Sequence, residues 1–178
     1  MTSDPRPTPS LATLDPPRAV DEGPRPVLAR RIGTVALLVV VLAGALNLFG
    51  LWTSTTTRTD GDWTVSVHYA RIARAGLDAP WTVTVQHPGG FGDQITLRVT
   101  SSYFDIFESQ GLDPEPSDET SDGTDDTWTF SAPAGDTFAV SFDAYIQPSS
   151  HRGASGRVAV VVDGREVAST PFRTTLLP

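Results

Sequence analysis

Residues 63–69 read Trp63-Thr64-Val65-Ser66-Val67-His68-Tyr69, with an apolar side chain at every second position. In an extended chain successive side chains point to opposite faces, so one face of this segment is apolar and the other polar. Trp81-Thr82-Val83-Thr84-Val85-Gln86-His87 repeats the pattern, and Gln94-Ile95-Thr96-Leu97-Arg98-Val99-Thr100 repeats it again. A period of two is the signature of half-buried antiparallel strands; an amphipathic helix would show a period near 3.6.

Working towards the C-terminus, the glycine-rich loop Pro88-Gly89-Gly90-Phe91-Gly92-Asp93 is predicted to join the second and third strands as a hairpin. Ser101 to Phe107 is predicted to open with a helical turn capped by Ser101 or Ser102. A strand is then expected from Phe107 towards Leu112, and Pro114 and Pro116 confine it to a sheet edge. Thr127–Phe130 and Thr137–Tyr145 read as strands on either side of Ala132–Asp136. Gly156–Val162 and Arg165–Phe172 flank Asp163-Gly164, a strong hairpin signal that favours a type I′ turn. Seven or eight short strands with no long amphipathic helix predict an all-β fold over residues 62–178. Its expected form is an antiparallel, immunoglobulin-like β-sandwich in architecture only, because the cysteines of true immunoglobulin domains are missing.

Working towards the N-terminus, residues 53–61 (Thr-Ser-Thr-Thr-Thr-Arg-Thr-Asp-Gly) read as a polar spacer. Ile32 to Trp52 carries no charge, and 21 residues of helix span roughly 31 Å, the hydrocarbon thickness of a bilayer. This run is the predicted transmembrane helix. Residues 1–31 are rich in proline and polar residues and read as a disordered tail. Arg18, Arg25, Arg30 and Arg31 precede the run, whereas only Arg58 follows closely. The positive-inside rule therefore predicts a cytoplasmic N-terminus and an extracytoplasmic C-terminal domain in the cell membrane. The alternative is a signal peptide cut after Ala45, because Ala43-Gly44-Ala45 fits a small-x-small cleavage pattern; the domain would then be secreted. The long stretch before the apolar run, and the apolar residues continuing through Leu51, favour the anchor.

Composition narrows the partners. Every one of the 13 cations is arginine, a usage that points to a GC-rich bacterial genome. Residues 32–178 hold eight arginines against 17 acids, which argues against nucleic acid or an anionic lipid surface as partner. The absence of cysteine removes disulfides, thiol catalysis and thiolate zinc sites.

The densest polar feature runs from Asp113 to Asp126. Asp118, Glu119, Asp122, Asp125 and Asp126 make it a calcium candidate, although the EF-hand pattern fails at Thr120 and Thr129. A solvated loop is the plain expectation for such a charge run. His68, His87 and His151 lack any metal-ligand spacing. No Gly-x-Ser-x-Gly occurs; Gly153-Ala154-Ser155-Gly156 is only a superficial likeness, expected in a turn. No catalytic residue, cofactor or metal is therefore assigned. The tryptophans and most phenylalanines are expected in the core, but Phe91 at a loop tip is a candidate partner contact.

Pro80–Val85, Tyr103-Phe104-Asp105 with Pro114-Glu115-Pro116, and the ending Phe172–Pro178 resemble a group of uncharacterised bacterial single-pass membrane proteins with a small extracytoplasmic β-domain. The resemblance covers most of residues 63–178 and implies no activity. The sequence thus predicts a non-enzymatic membrane protein whose outer β-sandwich serves as an interaction or accessory module, with another membrane protein as the expected partner. A carbohydrate- or calcium-binding sandwich is the alternative.

Overall fold

The structure is a computed structural model and describes residues 24–45, 50–108 and 111–177. The chain divides into two compact units, residues 1–48 and 49–178.

The first unit is helix α1, Pro24–Ala45. Its 22 residues make it about 33 Å long. Pro24 sits at the first helical position, where its missing N–H costs no hydrogen bond. The helix therefore begins eight residues before the predicted Ile32 and takes in Arg30 and Arg31. Residues 24–31 are helix rather than tail, and residues 1–23 lie outside the described residues, as do 46–49 with Asn47. Pro26–Ala45 is long and apolar enough to cross a membrane, and none of that stretch is buried. The Thr34 hydroxyl donates to the Arg30 carbonyl (2.9 Å), so this polar group is satisfied within the helix.

The second unit is mostly β-strand. Ten strands follow in order: β1 Trp52–Asp60, β2 Trp63–Arg74, β3 Asp78–Gln86, β4 Gln94–Thr100, β5 Leu112–Asp113, β6 Asp118–Ser121, β7 Asp125–Ser131, β8 Thr137–Tyr145, β9 Ala154–Val162 and β10 Arg165–Leu177. A short 3-10 helix, Ser101–Ile106, sits between β4 and β5; it follows Thr100 and has no side-chain cap, so neither serine caps it. The strand order is β5-β8-β3-β2-β10-β9-β4-β7-β6, with β1 beside β2. Every pairing is antiparallel except one, where Thr175–Leu177 at the end of β10 run parallel to Ile72–Arg74 of β2. Long β10 pairs with β9 along Arg165–Thr174 and so links the two sets of strands.

Residues 53–61 are not a spacer. All but Gly61 belong to β1, which pairs with β2 from Trp52↔Ile72 to Asp60↔Trp63. Threonine suits extended backbone because its branched Cβ restricts χ1. Hydroxyl contacts across the pair hold the register: Thr57 to Ser66 (2.9 Å), Thr59 to Thr64 (2.9 Å) and Thr55 to His68 Nδ1 (3.0 Å). Trp52, expected to close the helix, opens this strand.

The predicted Pro88–Asp93 hairpin is also corrected. β3 pairs with β2 and β8, while β4 pairs with β7 and β9, so the loop crosses between strand sets. The Asp163-Gly164 turn is as expected, with φ of 50° and 74° at its two residues. Ala154 and Ser155 begin β9 rather than a turn. The strand expected from Phe107 shrinks to the two residues of β5 at one end of the strand order, with an isolated bridge between Phe107 and Ile146.

Alternation places Val65 and Val67, Val83 and Val85, Leu97 and Val99, and Val158 and Val160 inside, all completely buried. Each fully buried valine or leucine contributes roughly 1.5–3 kcal/mol. Aromatic rings from both strand sets meet in this core. Trp81 of β3 lies edge-on to Trp128 of β7 (6.1 Å), and Phe130 of β7 is 5.0 Å from Phe138 of β8. Tyr103 meets Phe172 of β10 at 4.6 Å and 83°. Gly156 makes that contact possible, since a Cβ there would lie 2.7 Å from the Phe172 ring.

Candidate functional site

The acidic segment is built rather than a loose loop. β6 and β7 pair through Asp118↔Thr129, Glu119↔Trp128, Thr120↔Thr127 and Ser121↔Asp126. Asp122-Gly123-Thr124 makes the turn, with Gly123 at φ 85°. One oxygen of Asp122 accepts the backbone N–H groups of Thr124 and Asp125, both at 2.8 Å. The bond from Asp125, then that from Thr124, holds the Asp122 carboxyl below the usual aspartate range.

This arrangement disperses the calcium candidates. Adjacent strand residues face opposite ways, so Asp118 and Glu119 diverge, as do Asp125 and Asp126. Asp122 is committed to its turn. Among the described residues no group of three or more His, Cys, Asp or Glu side chains could hold a metal ion.

What the fold brings together instead is a cleft of about 770 Å³. Its apolar lining comes from Phe104 and Phe107 of the 3-10 helix region, Leu112 of β5, Trp128 of β7 and Phe142 of β8. Asp105, Glu115, Asp118, Glu119 and Asp126 are its acidic lining residues. No arginine or histidine lines it among the described residues. The Trp128 indole N–H donates to Glu119 Oε1 (3.0 Å), and the Ser101 hydroxyl donates to Asp126 Oδ1 (2.6 Å). Both carboxylates keep further acceptor sites. Phe104 is half-buried, and its ring is fixed edge-on to Trp81 (5.3 Å) and Phe142 (5.4 Å). Trp81, against its ring, is buried with no hydrogen-bond partner for its indole N–H among the described residues.

Phe91 does not stand out as a free contact. It is half-buried and packs on the core beside Trp63 (6.0 Å) and His87 (6.4 Å). The three glycines of its loop adopt positive φ, which lets the chain fold the ring back. The histidines lie apart: His68 bonds to Thr55 in the β1–β2 pair, His87 stacks on Trp63 (4.0 Å), and His151 is exposed between β8 and β9. Sequence reasoning registered the acids of the cleft but missed its ring lining, because the rings come from separate segments. The close spacing of Phe104 and Phe107 ahead of the acids was the available signal.

No protein-family model matches the chain, and no curated protein matches it. Among solved structures, the Pseudomonas fluorescens alkylpurine DNA glycosylase AlkC bound to DNA containing an abasic site analog is similar over 74% of this chain, at 16% identity and a TM-score of 0.29. The match spans 32% of that chain. A likeness at this score leaves the glycosylase's chemistry and DNA binding with that protein.

Proposed function

We propose that this chain is a non-enzymatic, single-pass membrane protein with a cytoplasmic N-terminus, an extracytoplasmic β-sandwich of immunoglobulin-like architecture, and an accessory or interaction role towards another membrane protein. The observation that carries the reading is helix α1. It offers an apolar surface on every side, its only charges are Arg25, Arg30 and Arg31 in its N-terminal half, and it is followed by a β-rich unit with its own core. A helix that is apolar all round is at home in hydrocarbon, where its backbone polar groups are satisfied internally. Arginines on its N-terminal side favour a cytoplasmic N-terminus. Two strand sets sharing one aromatic core support the sandwich reading. The non-enzymatic reading draws on His68, His87 and the aromatics being absorbed into packing and strand-to-strand hydrogen bonds.

Protease added to intact cells tests the topology. The β-domain should be digested while an epitope at the N-terminus stays protected. Loss of the epitope with survival of the domain would invert the orientation, and a released domain beginning at Leu46 would replace the anchor with a signal peptide. Cross-linking in intact cells followed by affinity capture tests the interaction role. Reproducible capture of another membrane protein supports it, and recovery of this chain alone overturns it.

A further inference from the structure

The strand order has two ends, β5 and β6, and both line the cleft. The segment from Asp113 to Ser117 runs between them, with Pro114 and Pro116 restricting its backbone. Among the described residues each end strand has a single partner, β8 for β5 and β7 for β6. The cleft therefore takes residues from two end strands, each paired along one side among the described residues, the kind of strand to which an extended polypeptide adds.

Its chemistry selects a cation. Five acidic residues line it and no basic residue does among the described residues. The half-buried Phe104 ring and Leu112 add an apolar wall. A flat guanidinium can stack on such a ring while giving paired N–H bonds to a carboxylate; a lysine ammonium is a more strongly hydrated point charge with no flat face. A calcium ion would need several oxygens converging on one point, and no group of three or more acidic or histidine side chains among the described residues could hold one. The cleft, about 770 Å³, lies in the size range of pockets that take small ligands. The fixed packing of Phe104 and the held carboxylates of Glu119 and Asp126 leave little to order on binding.

We propose that this cleft docks an arginine side chain presented by an extended segment of a partner polypeptide, an inference that rests on reading the domain as an interaction module. Glu115 and Glu119 are the principal carboxylates and Phe104 the stacking surface.

The full chain in detergent micelles can be titrated with a capped Gly-Arg-Gly-Arg-Gly peptide, following tryptophan fluorescence and heat, since Trp128 lies in the cleft. Saturable binding is expected at low salt, weakening as salt is added. The lysine version should bind more weakly and the glutamine version not at all. The double variant E115Q/E119Q should lose roughly tenfold in affinity. Glutamine keeps an oxygen for the Trp128 indole, so near-UV circular dichroism of that variant should match the parent. Absence of saturable arginine-peptide binding, or equal affinity in the double variant, overturns the proposal, as does equal binding of the glutamine peptide. In cells, a partner captured equally by parent and double variant would overturn the cleft while leaving the module reading intact. Arginine-peptide binding without any cellular partner would sink the module reading instead.

Discussion

Val39, Val40 and Val41 in helix α1 each leave 58% of their surface exposed, while Val65, Val67, Val158 and Val160 in the β-rich unit leave none. The side chain is the same and so is its aversion to water, worth about 25 cal/mol for each Å² hidden. The two regions meet it differently. In the β-rich unit, alternation gives each strand one apolar face, and the faces hide one another. Helix α1 is apolar around most of its circumference and has no facing element among the described residues of its unit, a surface suited to a solvent other than water. Mutations should therefore separate the two regions cleanly, folding from one and membrane residence from the other.

The largest effect is expected at Trp81. It is almost fully buried and touches the rings of Phe104, Trp128 and Phe172. Trp81→Ala removes those contacts and leaves a cavity, a loss of about 3–5 kcal/mol. Urea unfolding followed by circular dichroism should show it, with the protein still in the membrane fraction. Next comes Val40→Arg in α1, which should raise the cost of insertion by roughly 2.5–3.5 kcal/mol. Fractionation should then shift the chain out of the membrane while the melting temperature of the β-domain holds. If either variant moved both readouts together, the separation would fail.

A smaller loss is expected where a polar group enters the β core. Thr174 is completely buried; its hydroxyl donates to the Ala70 carbonyl (2.6 Å) and lies 2.8 Å from the Tyr103 hydroxyl. Thr174→Val leaves the Tyr103 hydroxyl without this partner, at a cost of about 1–3 kcal/mol in urea unfolding. Burial pushes Tyr103 up from 10.0 to about 12, against the opposing bond from Thr174. Stability linked to Tyr103 is thus complete below its unfolded value and is lost as pH rises towards about 12. Tyrosinate absorbance should show Tyr103 ionising above the ordinary tyrosine value of 10.0, a step that Tyr103→Phe removes. Ionisation of Tyr103 at the ordinary tyrosine value would mean the hydroxyl is not buried.

Legibility in the sequence follows the same division. β2, β3 and β4 could be read because their inward positions are apolar and their outward ones mostly polar, whereas β9 buries Ala159 and Val161 as well and is marked by the Asp163-Gly164 turn that follows it. β1 escaped because threonine occupies both of its faces, and only the hydroxyl contacts with β2 show why it pairs. The Pro88–Asp93 loop was misassigned because adjacency in sequence favours a hairpin, whereas the choice of partner strand is settled by the distant β8 and β9. The β6–β7 hairpin was hidden by charge, although Asp122-Gly123 carries the same dipeptide that revealed the turn at Asp163-Gly164. The cleft was illegible because it exists only once the 3-10 helix, β5, β6, β7 and β8 converge. The start of α1 was missed because Arg30 and Arg31 were read as its boundary, although a helix accommodates both.

The smallest expected effect lies at that charged turn, the opposite extreme from α1. The Asp122 side chain is fully solvated, so its hydrogen bonds compete with water. Its carboxyl nevertheless titrates below the ordinary aspartate range, first because of the Asp125 N–H and then because of the Thr124 N–H. A group whose folded pKa is depressed stabilises the fold above its unfolded value, and that contribution is lost as pH falls through the lowered folded value. Carbon-detected NMR should find the Asp122 midpoint below that of a disordered aspartate. Asp122→Ala should speed amide exchange at Thr124 and Asp125 while leaving the core strands β2 and β3 protected, because the turn adds local order to an end strand that buries little. Faster exchange in β2 and β3 as well would mean that the acidic hairpin is integral to the β core, and the contrast between buried and solvated polar groups in this domain would no longer hold.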